Sequence, residues 1–147
     1  MTYEAEITVF HPDRPGIRKV LGDLEAAIME LIWARPVEQG TTVRDIFEQL
    51  YPQRRIAYTT VMSTMARLAK KKVLAVEKHE QGYVYRPTVT QQEFIAYIVS
   101  RILEDLFVSF AEPTLAGLNG LSDLQAATHA RRLLEEIAQR RLKEEAE

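Results

Sequence analysis

The sequence predicts a mainly α-helical protein that carries one small β-hairpin. Apolar residues recur at helical spacing in several segments, and two of these segments open with a strong capping signature. Between the third and fourth helical segments, β-branched and aromatic residues become frequent, as is typical of strands. The chain has 147 residues and a hydrophobic content of 46%, which is enough for a core and excludes global disorder.

The N-terminal segment is expected to lie outside the helical domain. Residues 3–9 alternate polar and apolar side chains and predict a short strand, which the turn-like segment 11–16 ends. We interpret residues 1–20 as an arm. The first helix is predicted over 21–34 and ends at Arg35-Pro36.

Two further helices follow with tight connections. The second begins at Thr42, which forms a capping signature with Asp45, and Pro52 is expected to stop it. The third is predicted over 57–72. Three short helices joined in this way are typical of a helix-turn-helix arrangement.

A β-hairpin is predicted directly after the third helix. Its strands are 73–76 and 83–85, and Glu80-Gln81-Gly82 is expected to form a three-residue loop with a bulge. A hairpin at this place is the wing of a winged helix-turn-helix domain, which we place over residues 21–89.

The region after the wing is predicted to be helical. Thr90 and Glu93 form a second capping signature, which opens an amphipathic helix over about 91–110. Pro113 and the glycines after it are expected to break this helix, before a final helix opens at Ser122.

Two helices are too few to enclose a core of their own, so residues 90–147 are interpreted as a helical dimerisation region. A helix folded back onto the winged domain of a monomer is the alternative. The expected dimer contacts are Phe94, Ile95, Ile98, Ile102, Leu106 and Phe110.

The charges are unevenly distributed, although the net charge is only −2. Residues 1–34 carry a net charge of −3, residues 35–86 of +5 and residues 87–147 of −4. Positive charge gathered into one segment is expected where that segment alone meets phosphates.

The predicted third helix has two different faces. Val61, Met65 and Leu68 lie on one side, and short hydroxyls with a guanidinium lie on the other. Short polar side chains let a helix approach base edges in the DNA major groove, while Arg and Lys neutralise phosphates. The alternative is a solvated helix whose cations favour its C-terminal end.

We assign roles to this surface as hypotheses. Thr59, Thr60 and Ser63 approach base edges, with Met62 at the margin, and Arg67 and Lys71 meet phosphates. For the two tyrosines of the wing, packing onto the domain is the favoured alternative. The remaining DNA-binding candidates are Arg54, Arg55, Lys70, Lys78, Tyr83, Tyr85 and Arg86.

Several classes of function are excluded or disfavoured. The sequence has no cysteine, Walker loop or HExxH motif, so we predict that the chain is not an enzyme and needs no cofactor. Its three histidines are too far apart in sequence to suggest a metal site. Trp33 is interpreted as a core residue. A membrane-spanning run and a signal peptide are both missing, so we expect a cytoplasmic protein.

Four stretches resemble the penicillinase and methicillin-resistance repressor family of the BlaI/MecI type, which includes the CopY copper-responsive repressors. They are LGDLEAAIMELIW at 21–33, TTVRDIFEQL at 41–50, YTTVMSTMARLAKKK at 58–72 and VEKHEQGYVYRPTVTQQEF at 76–94. The resemblance implies a homodimeric repressor that binds a palindromic operator in double-stranded DNA. In the best-known members, a sensor protease leads to cleavage of the repressor.

The chain departs from the family pattern in three ways. Lys72 stands where the family usually has Gly, at a place that suits a left-handed helix terminus. The cysteine pairs of the copper-responsive relatives are absent, which excludes thiolate copper sensing. The Asn-Phe cleavage bond cannot be placed after residue 91, which argues against proteolytic induction.

Two other functions stay open from the sequence. One is a winged-helix regulator that responds to a small ligand in a pocket between domains. The other is a winged-helix adaptor whose basic face binds an acidic protein partner.

Overall fold

A computed structural model of the chain describes residues 3–7, 9–120, 128, 130–132, 135–136, 139–140, 142–143 and 146. The chain divides into two compact units, Met1–Ser100 and Arg101–Glu147. The arm, winged-helix and dimerisation boundaries expected from the sequence are functional assignments and stay predictions.

Three helices form the body of the first unit: α1 (Asp23–Trp33), α2 (Val43–Arg54) and α3 (Tyr58–Lys70). Short 3-10 turns precede α1 at Gly16–Lys19 and α2 at Val37–Gln39. Helix α3 contacts both other helices. Their apolar sides form a core of almost fully buried side chains, among them Leu21, Ile28, Met29, Ile32, Ile46, Val61, Met65 and Leu68.

Helix α2 begins as predicted but ends later. The Asp45 N–H donates to Thr42 Oγ1 at 3.2 Å, and the Thr42 N–H donates to Asp45 Oδ2 at 3.0 Å. The prediction that Pro52 stops the helix is wrong, because α2 continues through Pro52 to Arg54. A proline in the last turn removes only one hydrogen bond. The helix ends where Arg55 adopts a left-handed conformation, with φ 52° and ψ 36°.

The wing consists of β1 (Leu74–His79) and β2 (Gly82–Pro87), which pair antiparallel. Both strands are longer than predicted, and His79 lies opposite Gly82. Only Glu80 and Gln81 therefore form the turn, so the predicted three-residue loop is wrong. Gly82 begins β2 with a φ of 128°, which glycine adopts readily because it has no Cβ atom.

The wing is attached to the domain body through the segment before α2. Thr41 and Tyr85 exchange two backbone hydrogen bonds, of 2.9 and 2.8 Å. Beside them, Gly40 has a φ of 67°, and a Cβ atom there would lie 2.4 Å from Val84 Cγ1. Glycine at this position therefore permits the close approach of the wing.

The N-terminal segment forms no strand among the described residues of 3–9, so that prediction is wrong. Its described residues make one backbone hydrogen bond to the helical domain, from the Glu6 N–H to the Lys71 carbonyl at 2.9 Å, and a strand needs a series of such bonds. Ala5 is buried, and the Tyr3 ring packs edge-on against Tyr97 with centroids 5.0 Å apart.

Helix α4 (Gln91–Ser109) opens with the predicted cap. The Glu93 N–H donates to Thr90 Oγ1 at 3.1 Å, and the Thr90 N–H donates to Glu93 Oε1 at 3.3 Å. The predicted helical segment is thus confirmed to within one residue at its end.

A second short helix, α5 (Ala111–Asn119), follows α4. The interruption lies at Phe110, with φ −142° and ψ 60°, rather than at Pro113 as predicted. Pro113 is in the first turn of α5, where a missing N–H breaks no helical bond. The predicted start of the final helix at Ser122 lies outside the described residues. No helix in the described parts of the chain is long and apolar enough to cross a membrane.

The end of α3 is a Schellman turn that requires a left-handed residue. The Val73 N–H donates to the Leu68 carbonyl and the Lys72 N–H to the Ala69 carbonyl, both at 3.0 Å. Lys72 has a φ of 65°. The expectation that this position suits glycine is therefore confirmed, and lysine occupies it under strain.

We predict that Lys72→Gly is more stable than Lys72→Ala by about 1 kcal/mol, because glycine adopts a positive φ without a Cβ penalty. Both variants lose the exposed ion pair between Lys72 Nζ and Glu6 Oε1, at 3.4 Å, so the comparison isolates the backbone. Urea unfolding measures the difference. Equal stability of the two variants would contradict this account.

Candidate nucleic-acid interface

The outer face of α3 is open to solvent. Thr59, Thr60, Ser63 and Arg67 are exposed, and Met62 is 45% exposed. The opposite face is fully buried. The two-faced helix expected from the sequence is therefore present, and the structure brings all the proposed base-reading side chains to one surface.

Two hydroxyls on α3 bond to the helix itself. Ser63 Oγ donates to the Thr60 carbonyl at 3.1 Å, and Thr64 Oγ1 donates to the same carbonyl at 2.7 Å. Of these two hydroxyls, that of Thr64 is buried, whereas that of Ser63 is exposed and its oxygen can still accept a hydrogen bond from DNA or water.

Some cations of α2, α3 and the wing have no ion pair among the described residues. They are exposed and comprise Arg44, Arg67, Lys70 and Lys78. Arg44, the second residue of α2, was not among the DNA-binding residues predicted from the sequence. Its exposed position two residues after the Thr42 cap was the available signal.

Other predicted contacts already have partners. Arg54 Nη1 lies 2.7 Å from Asp23 Oδ2, and Lys71 Nζ lies 2.8 Å from Glu25 Oε2. The Arg55 guanidinium lies over the Tyr51 ring, 4.9 Å from its centroid. These three cations are thus engaged in contacts within the protein.

The wing presents its predicted residues unequally. Tyr83 is 55% exposed, whereas Tyr85 is only 5% exposed and packs against the domain. Arg86 Nε donates to the Val37 carbonyl at 3.2 Å, and its Nη1 lies 2.9 Å from Glu77 Oε1. Tyr85 and Arg86 therefore hold the wing in place. Packing onto the domain, the alternative favoured for both wing tyrosines, fits Tyr85 but not the exposed Tyr83.

The predicted dimer residues divide between core and surface. Phe94 and Ile98 are buried in the first unit, and Ile102 is half-buried. Trp33 packs beside Phe94, with ring centroids 5.5 Å apart, and donates to the Val89 carbonyl at 3.0 Å. The exposed apolar residues on or next to α4 are Ile95, Val99, Leu103, Leu106, Phe107, Val108 and Phe110.

The packing of Trp33 agrees with its interpretation as a core residue. Sequence reasoning missed Val99, Leu103 and Phe107 as exposed apolar residues, because the side of α4 that packs inside was not known. Among the described residues, no group of three or more acidic, His or Cys side chains is arranged to hold a metal ion.

The match to known proteins decides the family. The model of the penicillinase repressor family matches residues 21–140. The chain belongs to the penicillinase repressor family. Members of this family are transcriptional repressors and not enzymes, which confirms the prediction that the chain is not an enzyme. Residues 1–20 lie outside the matched span.

The transcriptional regulator BlaI of Mycobacterium tuberculosis (strain CDC 1551 / Oshkosh) is 41% identical to the chain over 76 residues. This alignment covers 52% of the chain and 54% of the relative, so the chain spans about half the length of the curated relative it matches.

Two solved structures are also similar. The solution structure of the DNA-binding domain of the repressor BlaI has 20% identity and a TM-score of 0.43, covering 57% of this chain and 90% of that one. The solution structure of the Bacillus licheniformis BlaI monomeric form in complex with the blaP half-operator has 22% identity and a TM-score of 0.41. The match covers 48% of this chain and 83% of that one.

Asp23 has a strongly perturbed acidity. Hydrogen bonds from Arg18 and then Arg54 lower the pKa of its carboxyl from 3.8 to about 2. The Arg18 Nε and Arg54 Nη1 atoms lie 2.9 and 2.7 Å from its two oxygens. A carboxyl whose pKa falls on folding stabilises the fold above its unfolded pKa and loses that effect on acidification.

We predict that wild type exceeds Asp23→Asn in stability by a constant amount from neutral pH to about pH 5, and that the difference shrinks progressively between about pH 5 and pH 1. An NMR titration of the Asp23 carboxyl should give a midpoint near the low value, and Arg18→Gln or Arg54→Gln should raise it. A midpoint at the ordinary aspartate value in wild type would show that the carboxylate is not held by the two guanidinium groups.

Proposed function

We propose that the chain is a homodimeric cytoplasmic repressor of transcription that binds a palindromic operator through helix 57–72 and the wing 73–88. The main support is the outer face of α3, which presents hydroxyls and cations while its inner face is packed. The chain belongs to a family of repressors, and its BlaI relative is named a transcriptional regulator.

In this proposal the first half of α3 reads bases. Thr59, Thr60 and Ser63 are short enough to let the helix enter the major groove, where hydroxyls accept from or donate to base edges. Met62 lies at the edge of this face and contacts a thymine methyl group.

Phosphates are bound by the cations around that face. Arg67, Lys70 and Lys78 are exposed without an ion pair among the described residues, so they reach DNA without breaking an internal contact. We assign further contacts with DNA to four other exposed residues, Arg44, Arg54, Arg55 and Tyr83. We leave Tyr85 out because it is buried, and assign Arg86 to attachment of the wing.

Salt-dependent binding tests the DNA proposal. Fluorescence anisotropy with a duplex from upstream of the chain's own coding sequence, and with a scrambled duplex, gives affinity and selectivity. We expect Arg67→Gln to lower the salt slope by about 0.9 and Ser63→Ala to lower selectivity about tenfold. Arg14→Gln, which removes an exposed arm cation, is the control and should leave both unchanged.

Equal binding of both duplexes by the unaltered chain would contradict sequence-selective repression. Binding of neither duplex at low salt would favour the adaptor function instead.

Exposed apolar residues of α4 support the homodimer. Ile95, Val99, Leu103 and Leu106 recur at helical spacing, and each is between 37% and 48% exposed. A row of large apolar side chains left open to water is typical of a helix that packs against a partner. A second copy provides the same row by symmetry.

We predict that Leu106→Glu converts a dimer into a monomer in light scattering coupled to size exclusion, because it places a charge in the apolar row. Val9→Glu adds the same charge at an exposed apolar residue of the arm and should leave the dimer intact. A wild-type chain that is monomeric at micromolar concentration would refute the dimer.

A further inference from the structure

The first turn of α1 holds one cation from each side of α3. Asp23 Oδ2 accepts a hydrogen bond from Arg54 Nη1 at 2.7 Å, and Arg54 ends the helix before α3. Glu25 Oε2 accepts from Lys71 Nζ at 2.8 Å, and Lys71 is the C-cap of α3. Two carboxylates of one helical turn therefore hold the chain on both sides of α3.

The two ion pairs differ in their exposure. The Glu25 side chain is 9% exposed, and its second oxygen accepts the Gly22 N–H at 3.1 Å. Both Glu25 oxygens are thus used, and loss of Lys71 would leave a buried carboxylate without its charge partner. The Asp23 side chain is 64% exposed and also binds Arg18, so water reaches it freely.

We propose that this turn is a clamp that positions α3 for DNA, with Glu25–Lys71 as its fixed pair and Asp23–Arg54 as its exchangeable pair. Lys71 is then a positioning residue that does not bind phosphate. Arg54, which bonds one oxygen of Asp23, exchanges that carboxylate for a DNA phosphate, whose two non-bridging oxygens also accept hydrogen bonds from a guanidinium. This inference rests on the proposed DNA-binding function.

Lys70 is a matched control for Lys71. It is the neighbouring lysine, it is exposed, and it has no ion pair among the described residues. A cation that meets a phosphate contributes about 0.9 to the salt slope. We therefore expect Lys70→Gln to lower the slope by that amount and Lys71→Gln to leave it unchanged.

Selectivity separates positioning from simple loss of charge. Lys71→Gln and Glu25→Gln should each lower the ratio of operator to scrambled affinity about tenfold, because a misaligned α3 loses a good base contact. The variant that carries both changes should have a ratio no lower than that of the poorer single variant, because each change removes the same Glu25–Lys71 interaction. Lys71→Arg should restore the ratio.

Removal of the exchangeable pair should strengthen DNA binding rather than lower its selectivity. Asp23→Asn frees Arg54 and should tighten binding to both duplexes roughly threefold, in the range of an exposed ion pair. The same change in an Arg54→Gln background should have no effect on affinity.

The outcomes are distinguishable. A slope that falls equally for Lys70→Gln and Lys71→Gln, or an unchanged ratio in Lys71→Gln, overturns the clamp while the DNA-binding function stands. If Glu25→Gln does not fold, Lys71→Gln and Lys71→Arg decide the matter. An unaltered chain without selective binding overturns the proposed function and the clamp together.

Discussion

Burial of one side of α3 is the constraint on which the rest of the structure depends. Val61, Met65 and Leu68 are fully buried between α3 and its neighbours. Each such side chain contributes about 1.5–3 kcal/mol relative to an exposed one. Rotation of α3 about its axis would expose them, so packing alone fixes which residues face outward. The surface proposed to read DNA is therefore a consequence of the core.

The contacts around α3 convert this orientation into a defined surface. Its C-terminal end turns sharply at Lys72, and the wing that follows is held by the Thr41–Tyr85 backbone pair. Gly40 permits the wing to approach closely. The first turn of α1 also forms ion pairs with Arg54 and Lys71, which lie on either side of α3. These contacts hold the wing in a defined position relative to α3 within the first unit.

The sequence predicted what depends on local pattern. Helical spacing gave both faces of α3, and the caps at Thr42 and Thr90 were placed correctly because each is formed by residues three apart. Pairings such as Glu25 with Lys71 join residues far apart in the chain, and no local pattern indicates them. The sequence analysis assigned Phe94 and Ile98 to the dimer interface, but both are buried within the first unit. An amphipathic pattern shows that one face of a helix is covered, but not whether the same chain or a second copy covers it.

The central claim is that the outer face of α3 and the wing bind DNA while the inner face stays packed. Backbone amide shift mapping by NMR, with the duplex from upstream of the chain's own coding sequence, tests it most directly. We predict that the largest changes occur at residues 59–63, at Arg67 and in the wing between Lys78 and Tyr83. Changes centred on α5, with none in α3, would contradict the account.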